Sequence, residues 1–135
     1  MRLWHKDLIP YLPKQQLLGQ WRECCCIAKN IYKNGTPNHI LVNKIMDYPI
    51  GHFLHYGFLI MEEMTHRKYK CDIRKFEKWF NKPYSILTPT NEELFDGWHN
   101  DRYLLQCFYN LQEKYDCGGI NKYEWTKIVN KLQND

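Results

Sequence analysis

The sequence predicts an all-α fold: a compact single domain over residues 1–135, with a long N-terminal helix and irregular loops. Three observations lead there. Apolar side chains recur at three- and four-residue steps in several segments, the period of a helix that buries one face. Residues that start and stop helices stand at the ends of those segments. No stretch alternates apolar and polar residues at period two, as a half-buried strand would. Length suits one domain, and an aromatic content of 16% argues against disorder.

The first helix opens near Pro13, because a fixed φ suits a first helical turn. Its inward face reads as Leu17, Leu18, Trp21, Cys25, Ala28 and Ile31 or Tyr32, and Asn34-Gly35 stops it. A loop is expected over residues 36–49. The second helix is expected over about 50–68, with Ile50, Phe53 or Leu54, Gly57, Phe58, Met61 and Met64 inward. His52, His55, Glu62, Glu63 and His66 fall on its other side. A short helix fits 73–80 and a loop fits 81–90. Thr90 is a candidate cap for a longer helix, with Glu92 and Glu93 at the positive end and Gly97 as a break. The pattern resumes with Tyr103, Leu104, Cys107, Phe108 and Leu111 and ends at Gly118-Gly119. A last helix fits 123–132, with Trp125, Ile128, Val129 and Leu132 inward.

Several functions are excluded or disfavoured. No apolar run approaches the roughly 20 residues of a membrane helix. His5, Lys6 and Asp7 interrupt any signal-peptide core. A cytoplasmic protein, nucleoid-associated if cellular, is the expectation. The six cysteines are Cys24, Cys25, Cys26, Cys71, Cys107 and Cys117, with no C-x-x-C pair of a zinc site. They read as mostly small buried hydrophobes. Residues 113–124 carry the glycine, isoleucine and final glutamate of a calcium loop. Tyr115 and Cys117, however, stand where calcium needs oxygen ligands, so a helix–turn–helix connection is expected. His52, His55 and His66 lack visible further ligands, and phosphate contact or solvation is expected of them. Glu62 and Glu63 diverge on a helix and read as solvated. No metal and no cofactor is expected.

The net charge is +4, but it is unevenly placed. Residues 67–82 hold seven Lys/Arg against Asp72 and Glu77, a net +5, while 1–66 carry +2 and 83–135 carry −3. Tyr69, Phe76, Trp79 and Phe80 are interleaved with the basic residues. That composition suits a surface that holds phosphates. It equally suits a solvated face whose aromatics point inward. In the first helix Gln15, Gly19, Arg22 and Cys26 fall along one polar stripe, with Glu23 flanking Gln16, Gly19 and Gln20. Gly19 leaves a gap in which a backbone or base could approach closely. The plainer alternative is a solvated face with an Arg22–Glu23 pair of little energetic value.

The opening segment, MRLW…DLIPYLPKQQLLGQWRE, resembles the pyrimidine-dimer DNA glycosylase family. The family pattern is an arginine just after the amino end, a glutamine at the start of the first long helix, a leucine two residues on, and an aromatic-or-His–Arg–Glu triplet. Arg2, Gln15, Leu17 and Trp21-Arg22-Glu23 supply it. Further along, EEMTHRKYK and NDRYLLQCFYNLQEK look like the corresponding helices of bacterial members. The resemblance implies a compact all-α enzyme that cuts the glycosidic bond of the 5′ pyrimidine in a cyclobutane dimer and then nicks the strand by β-elimination. It implies that the chain's own α-amine, here that of Met1, forms an imine with the sugar, assisted by Glu23. It implies that Arg2 and Arg22 hold phosphates and that Gln15 and Gln16 position the strand. The bacteriophage member exposes a threonine amine by losing its initiator methionine. Arg2 is too large for that removal, so Met1 is expected to stay. Cys26 stands where the phage enzyme has a phosphate-binding arginine. The basic stretch, with Arg67, Lys68 and Lys70 as candidate DNA contacts, is expected to compensate.

The chemistry fits the residue types. At pH 7 on the order of 10% of an ordinary α-amine is unprotonated, against well under 0.1% of a lysine. An α-amine is therefore a ready imine-forming nucleophile. A carboxylate beside it can stabilise positive charge on the sugar and move protons. The expected partner is double-stranded DNA with pyrimidine dimers or abasic sites, bound by a monomer. A non-catalytic nucleic-acid-binding module and a helical protein that binds acidic partners are the alternatives. Only the enzyme needs a free α-amine and Glu23.

Overall fold

The structure is a computed structural model that describes residues 1–80 and 87–134. Among these, five α-helices run in the order α1 (Lys14–Asn34), α2 (Ile50–His66), α3 (Arg74–Glu77), α4 (Asp101–Asp116) and α5 (Lys122–Gln133). Short 3₁₀ segments at Lys6–Tyr11, Asn43–Asp47 and Lys78–Phe80 fill the connections. No strand occurs among the described residues. The fold is all-α, as the periodicity predicts. The loop expected over 81–90 lies partly outside the described residues.

α1 ends where Asn34-Gly35 stops it. Gly35 adopts φ 77°, which costs glycine little, and its N–H closes onto the Ile31 carbonyl at 2.9 Å. Its buried stripe is Leu17, Gln20, Trp21, Cys24, Ile27 and Ala28. The sequence pattern puts Leu18 and Cys25 inward, but both are only half-buried. The stripe is turned because Gln20, although polar, is 1% exposed and belongs to it. A search for apolar recurrence alone passes over that position.

α2 buries a wide face: Gly51, Phe53, Leu54, Tyr56, Gly57, Ile60, Met61 and Met64. It packs along α1, and α3 closes over the crossing through Phe76. Phe76 is fully buried and meets Trp21, Phe53 and Phe58 with ring centroids 5.8, 5.5 and 6.2 Å away. Gly57 provides the space, since a Cβ there would stand 2.3 Å from Phe76 Cζ. The basic stretch is thus amphipathic. Its aromatics turn inward, while Arg74, Lys75 and Lys78 remain exposed.

The helix expected from Thr90 does not form. Thr90 and Glu93 make the reciprocal bonds of a helix start, the Glu93 N–H donating to Thr90 Oγ1 at 3.2 Å. The chain nevertheless passes through turns over 91–98. The Lys6 ammonium takes the carbonyls of Asn91, Glu92 and Leu94 at 2.8, 3.1 and 2.7 Å. The Phe95 N–H donates to His52 Nδ1 at 3.0 Å, and Phe95 itself sits at φ 50°. Helix propagation needs those carbonyls and that N–H for its own ladder. His55 Nε2 is likewise 2.7 Å from Asn91 Oδ1. His52 and His55, both half-buried, therefore hold this turn, while His66 is exposed.

Residues 113–124 form a helix–turn–helix connection, as expected: the end of α4, a turn over 117–121 and the start of α5. Gly118 takes φ 84°, Gly119 N–H closes onto the Lys114 carbonyl at 2.8 Å, and Asn121 with Glu124 makes a capping box. Of the cysteines, Cys24 and Cys107 are buried, Cys25 and Cys71 half-buried, and Cys26 and Cys117 exposed, all as free thiols.

Gly57→Ala should destabilise the protein by about 1–3 kcal/mol through overpacking against Phe76. Urea unfolding should show the loss, and adding Phe76→Leu should recover part of it because the two positions touch.

Candidate active site

The first five residues run as a non-helical segment held by side chains from three helices. Leu3 and Trp4 are 0% and 6% exposed. The centre of the arrangement is Gln20 on α1. Its Oε1 accepts the Trp4 N–H at 2.8 Å. Its Nε2 donates to the Arg2 carbonyl at 2.9 Å and to Glu23 Oε2 at 3.1 Å. Tyr56 of α2 sits behind, its hydroxyl 2.7 Å from the Trp4 carbonyl and 2.9 Å from Gln20 Oε1. Tyr103 of α4 donates its hydroxyl proton to the Leu3 carbonyl. Both Nε2 hydrogens are thus used, and Oε1 accepts the Trp4 N–H while sharing the single Tyr56 hydroxyl proton with the Trp4 carbonyl. Those partners are what let a glutamine be buried.

Gln20 therefore couples the start of the chain to Glu23. One nitrogen holds the Arg2 carbonyl and the Glu23 carboxylate together, one residue away from the Met1 amine. Met1 is 39% exposed and Glu23 half-buried. Among the described residues no ion pair engages the Met1 amine, Arg2, Arg22 or Glu23. The Arg22–Glu23 pair of the plainer reading is thus not formed, because adjacent helical residues point about 100° apart. Arg22 is exposed and lies over Gly19, its Nη2 3.8 Å from where a Gly19 Cβ would stand. Gln15 is exposed on the same stripe. Gln16 lies one turn before Gln20, and its Oε1 is buried without a donor. Arg2 folds over Trp4, 5.5 Å from the ring centroid, with Nη1 3.9 Å from Cys107 Sγ.

The remaining candidates sit apart. Lys68 and Lys70 are exposed beyond the end of α2. Arg67 is bonded internally to Glu63 Oε2 at 2.7 Å, to the Leu12 carbonyl at 2.7 Å and to the Pro10 carbonyl at 3.1 Å. It ties the end of α2 to the segment leading into α1, a use the sequence pattern does not show.

Behind the terminal segment is a buried histidine pair. His5 and His99 stack with centroids 5.2 Å apart and are 2% and 5% exposed. His99 Nδ1 accepts the Lys6 N–H at 3.0 Å. Burial pushes His99 down to about 2, with His5 and Lys6 adding to the shift. Burial also lowers His5 and raises Tyr103 and Cys107. This wall is therefore uncharged at neutral pH.

The sequence pattern described as pyrimidine dimer DNA glycosylase matches residues 1–77, more than half of the chain. The chain belongs to the pyrimidine dimer DNA glycosylase family. No curated protein and no solved structure matches it. The match spans α1, α2 and α3, and with them Arg2, Gln20, Glu23 and Tyr56. Tyr103 and His99, which complete the cradle of this glycosylase-family chain, lie beyond it.

Two predictions rest on this geometry. Gln20→Leu leaves the Trp4 N–H and the Arg2 carbonyl unpaired and should cost about 2–4 kcal/mol, with faster hydrogen exchange at the Trp4 amide. His99 is depressed in the folded state, so its contribution is complete above pH 6.5 and lost as the pH falls toward 2. Unfolding free energy should drop by up to about 1.4 kcal/mol per pH unit in that window. Urea midpoints between pH 7 and 4 should show a shallower slope for His99→Gln.

Proposed function

We propose that the protein is a DNA N-glycosylase with AP-lyase activity that excises the 5′ pyrimidine of cyclobutane dimers. The observation that supports this best is the Gln20 carboxamide, which joins the Arg2 carbonyl and the Glu23 carboxylate at one nitrogen. It fixes the start of the chain beside a carboxylate, and imine chemistry needs those two groups together. The Met1 amine attacks C1′. The N–C1′ bond forms as the glycosidic bond breaks, and the pyrimidine, freed from its sugar, stays joined to its 3′ neighbour through the cyclobutane ring. The sugar ring then opens at O4′ to give a protonated imine. Loss of a C2′ proton expels the 3′ phosphate by β-elimination. Glu23 stabilises the cationic sugar and carries the protons. Arg2 and Arg22 clamp phosphates flanking the lesion, and Gln15 and Gln16 position the strand. Lys68 and Lys70 add phosphate contacts further along the duplex.

The test is borohydride trapping on a duplex with one dimer, followed by mapping of the linked peptide. A covalent adduct at Met1, lost when the amine is blocked, is expected. Glu23→Gln should lower excision by about 10²-fold or more, the range of a positioned acid–base group, while salt-dependent DNA binding persists. No adduct on dimer or abasic DNA with an intact amine would overturn the enzyme reading and leave a DNA-binding module.

A further inference from the structure

The connection between α1 and α2 carries the most exposed isoleucine among the described residues. Ile40 is 84% exposed and Leu41 beside it 49%. The turn that presents them is rigidly built. The His39 N–H donates to Asn43 Oδ1 at 2.9 Å, the Leu41 N–H to His39 Nδ1 at 3.3 Å, and the Val42 and Asn43 N–H groups close onto the His39 carbonyl at 3.0 and 2.9 Å. Val42 and Ile45, 0% and 1% exposed, anchor it in the core. Asn30 Nδ2 holds the Pro37 carbonyl at 3.3 Å. Two apolar side chains are thus held out into solvent by a turn fixed on both sides. No need of the core explains them.

Their surroundings place them beside the site. Ile40 and Leu41 line a cleft of about 270 Å³ with Lys44, Trp98, Arg102 and Tyr103. Tyr103 is the residue whose hydroxyl holds the Leu3 carbonyl. The cleft therefore abuts the amino-terminal segment. On the α1 side, Asn30 lies two turns beyond Glu23, about 10 Å along the axis, or roughly three base-pair steps of duplex. Lys44 and Arg102 are exposed cations in the lining of the same cleft.

We propose that Ile40 and Leu41 form a wedge that enters the base stack next to the lesion, while Lys44 and Arg102 hold the phosphates on either side. This rests on the enzymatic reading above. The occupant is duplex DNA: an apolar tip that shares its cleft with two cations complements a base stack bordered by phosphate rows. Apolar side chains inserted at a base step unstack it and bend the duplex. Unstacking is what brings the sugar carbon within reach of a group that cannot enter an intact helix.

The experiment compares wild type with Ile40→Ser/Leu41→Ser on two labelled duplexes. One carries the dimer fully paired, and the other carries it opposite two mismatched bases, where the stack is already open. Both side chains are exposed, so the variant should keep the wild-type unfolding midpoint. It should excise about tenfold more slowly from the paired duplex, ~1.4 kcal/mol of barrier, and at the wild-type rate from the mismatched one. Ile40→Leu should restore the paired rate. Equal loss on both duplexes, or no loss on either, overturns the wedge. Failure of the wild type on both duplexes would instead sink the enzymatic reading, so the two failures are distinguishable.

Discussion

The arrangement depends on one buried carboxamide. A chain terminus ordinarily frays, because nothing repays the entropy of ordering it. Here the carbonyls of Arg2, Leu3 and Trp4 each accept a bond from a different helix, and Gln20 supplies the first of these and also accepts the Trp4 N–H. The dependence runs both ways. Without the terminal segment, Gln20 would be a buried amide lacking partners. Without Gln20, the segment would lose its register against α1. The three-residue spacing to Glu23 brings its carboxylate into the same arrangement, since positions i and i+3 share a helix face.

The later part of the chain completes the cradle through Lys6. Its ammonium gathers three carbonyls of the 91–98 turn, and its N–H meets His99. This fastens the turn to the segment that carries the site, and α4 begins directly after it. Tyr103 and Cys107 then reach Leu3 and Arg2 from one face of α4. The family match ends at residue 77, yet the site is closed by residues well past it.

Much of this is legible in the sequence, and the exceptions share a cause. The ends of α1, the α4–α5 turn and the polar stripe of Gln15, Gly19 and Arg22 follow from local rules of capping and periodicity. The missed features are long-range polar bonds. Gln20 reads as a surface residue because its partners are 16 and 36 positions away. The helix expected at Thr90 has correct local signals and is overridden by Lys6, 85 residues earlier. Arg67 looks like a phosphate ligand until the carbonyls of Pro10 and Leu12 claim it. Periodicity reports which faces are apolar. It carries no information on which buried polar groups find each other.

The distribution of charge gives the cradle its direction. The wall behind the terminal segment contains five groups that could ionise: His5, His99, Tyr56, Tyr103 and Cys107. Burial is the first cause of the shift in each, and it favours the neutral form every time. Lys6 is wrapped by carbonyls. Besides Asp7, which faces His5, the charges at this end are the chain's amino group, Arg2, Arg22 and Glu23, and none of these four is paired with another. A protein that left them so for stability alone would gain little. Coulomb attraction near a low-dielectric wall is stronger than in open water. With Lys6, these cations outnumber the carboxylates of Asp7 and Glu23 on this part of the chain, so the terminal segment carries net positive charge. On the reading proposed above, the field of that charge would suit a phosphate backbone at Arg2 and Arg22, with the carboxylate left for a cationic sugar.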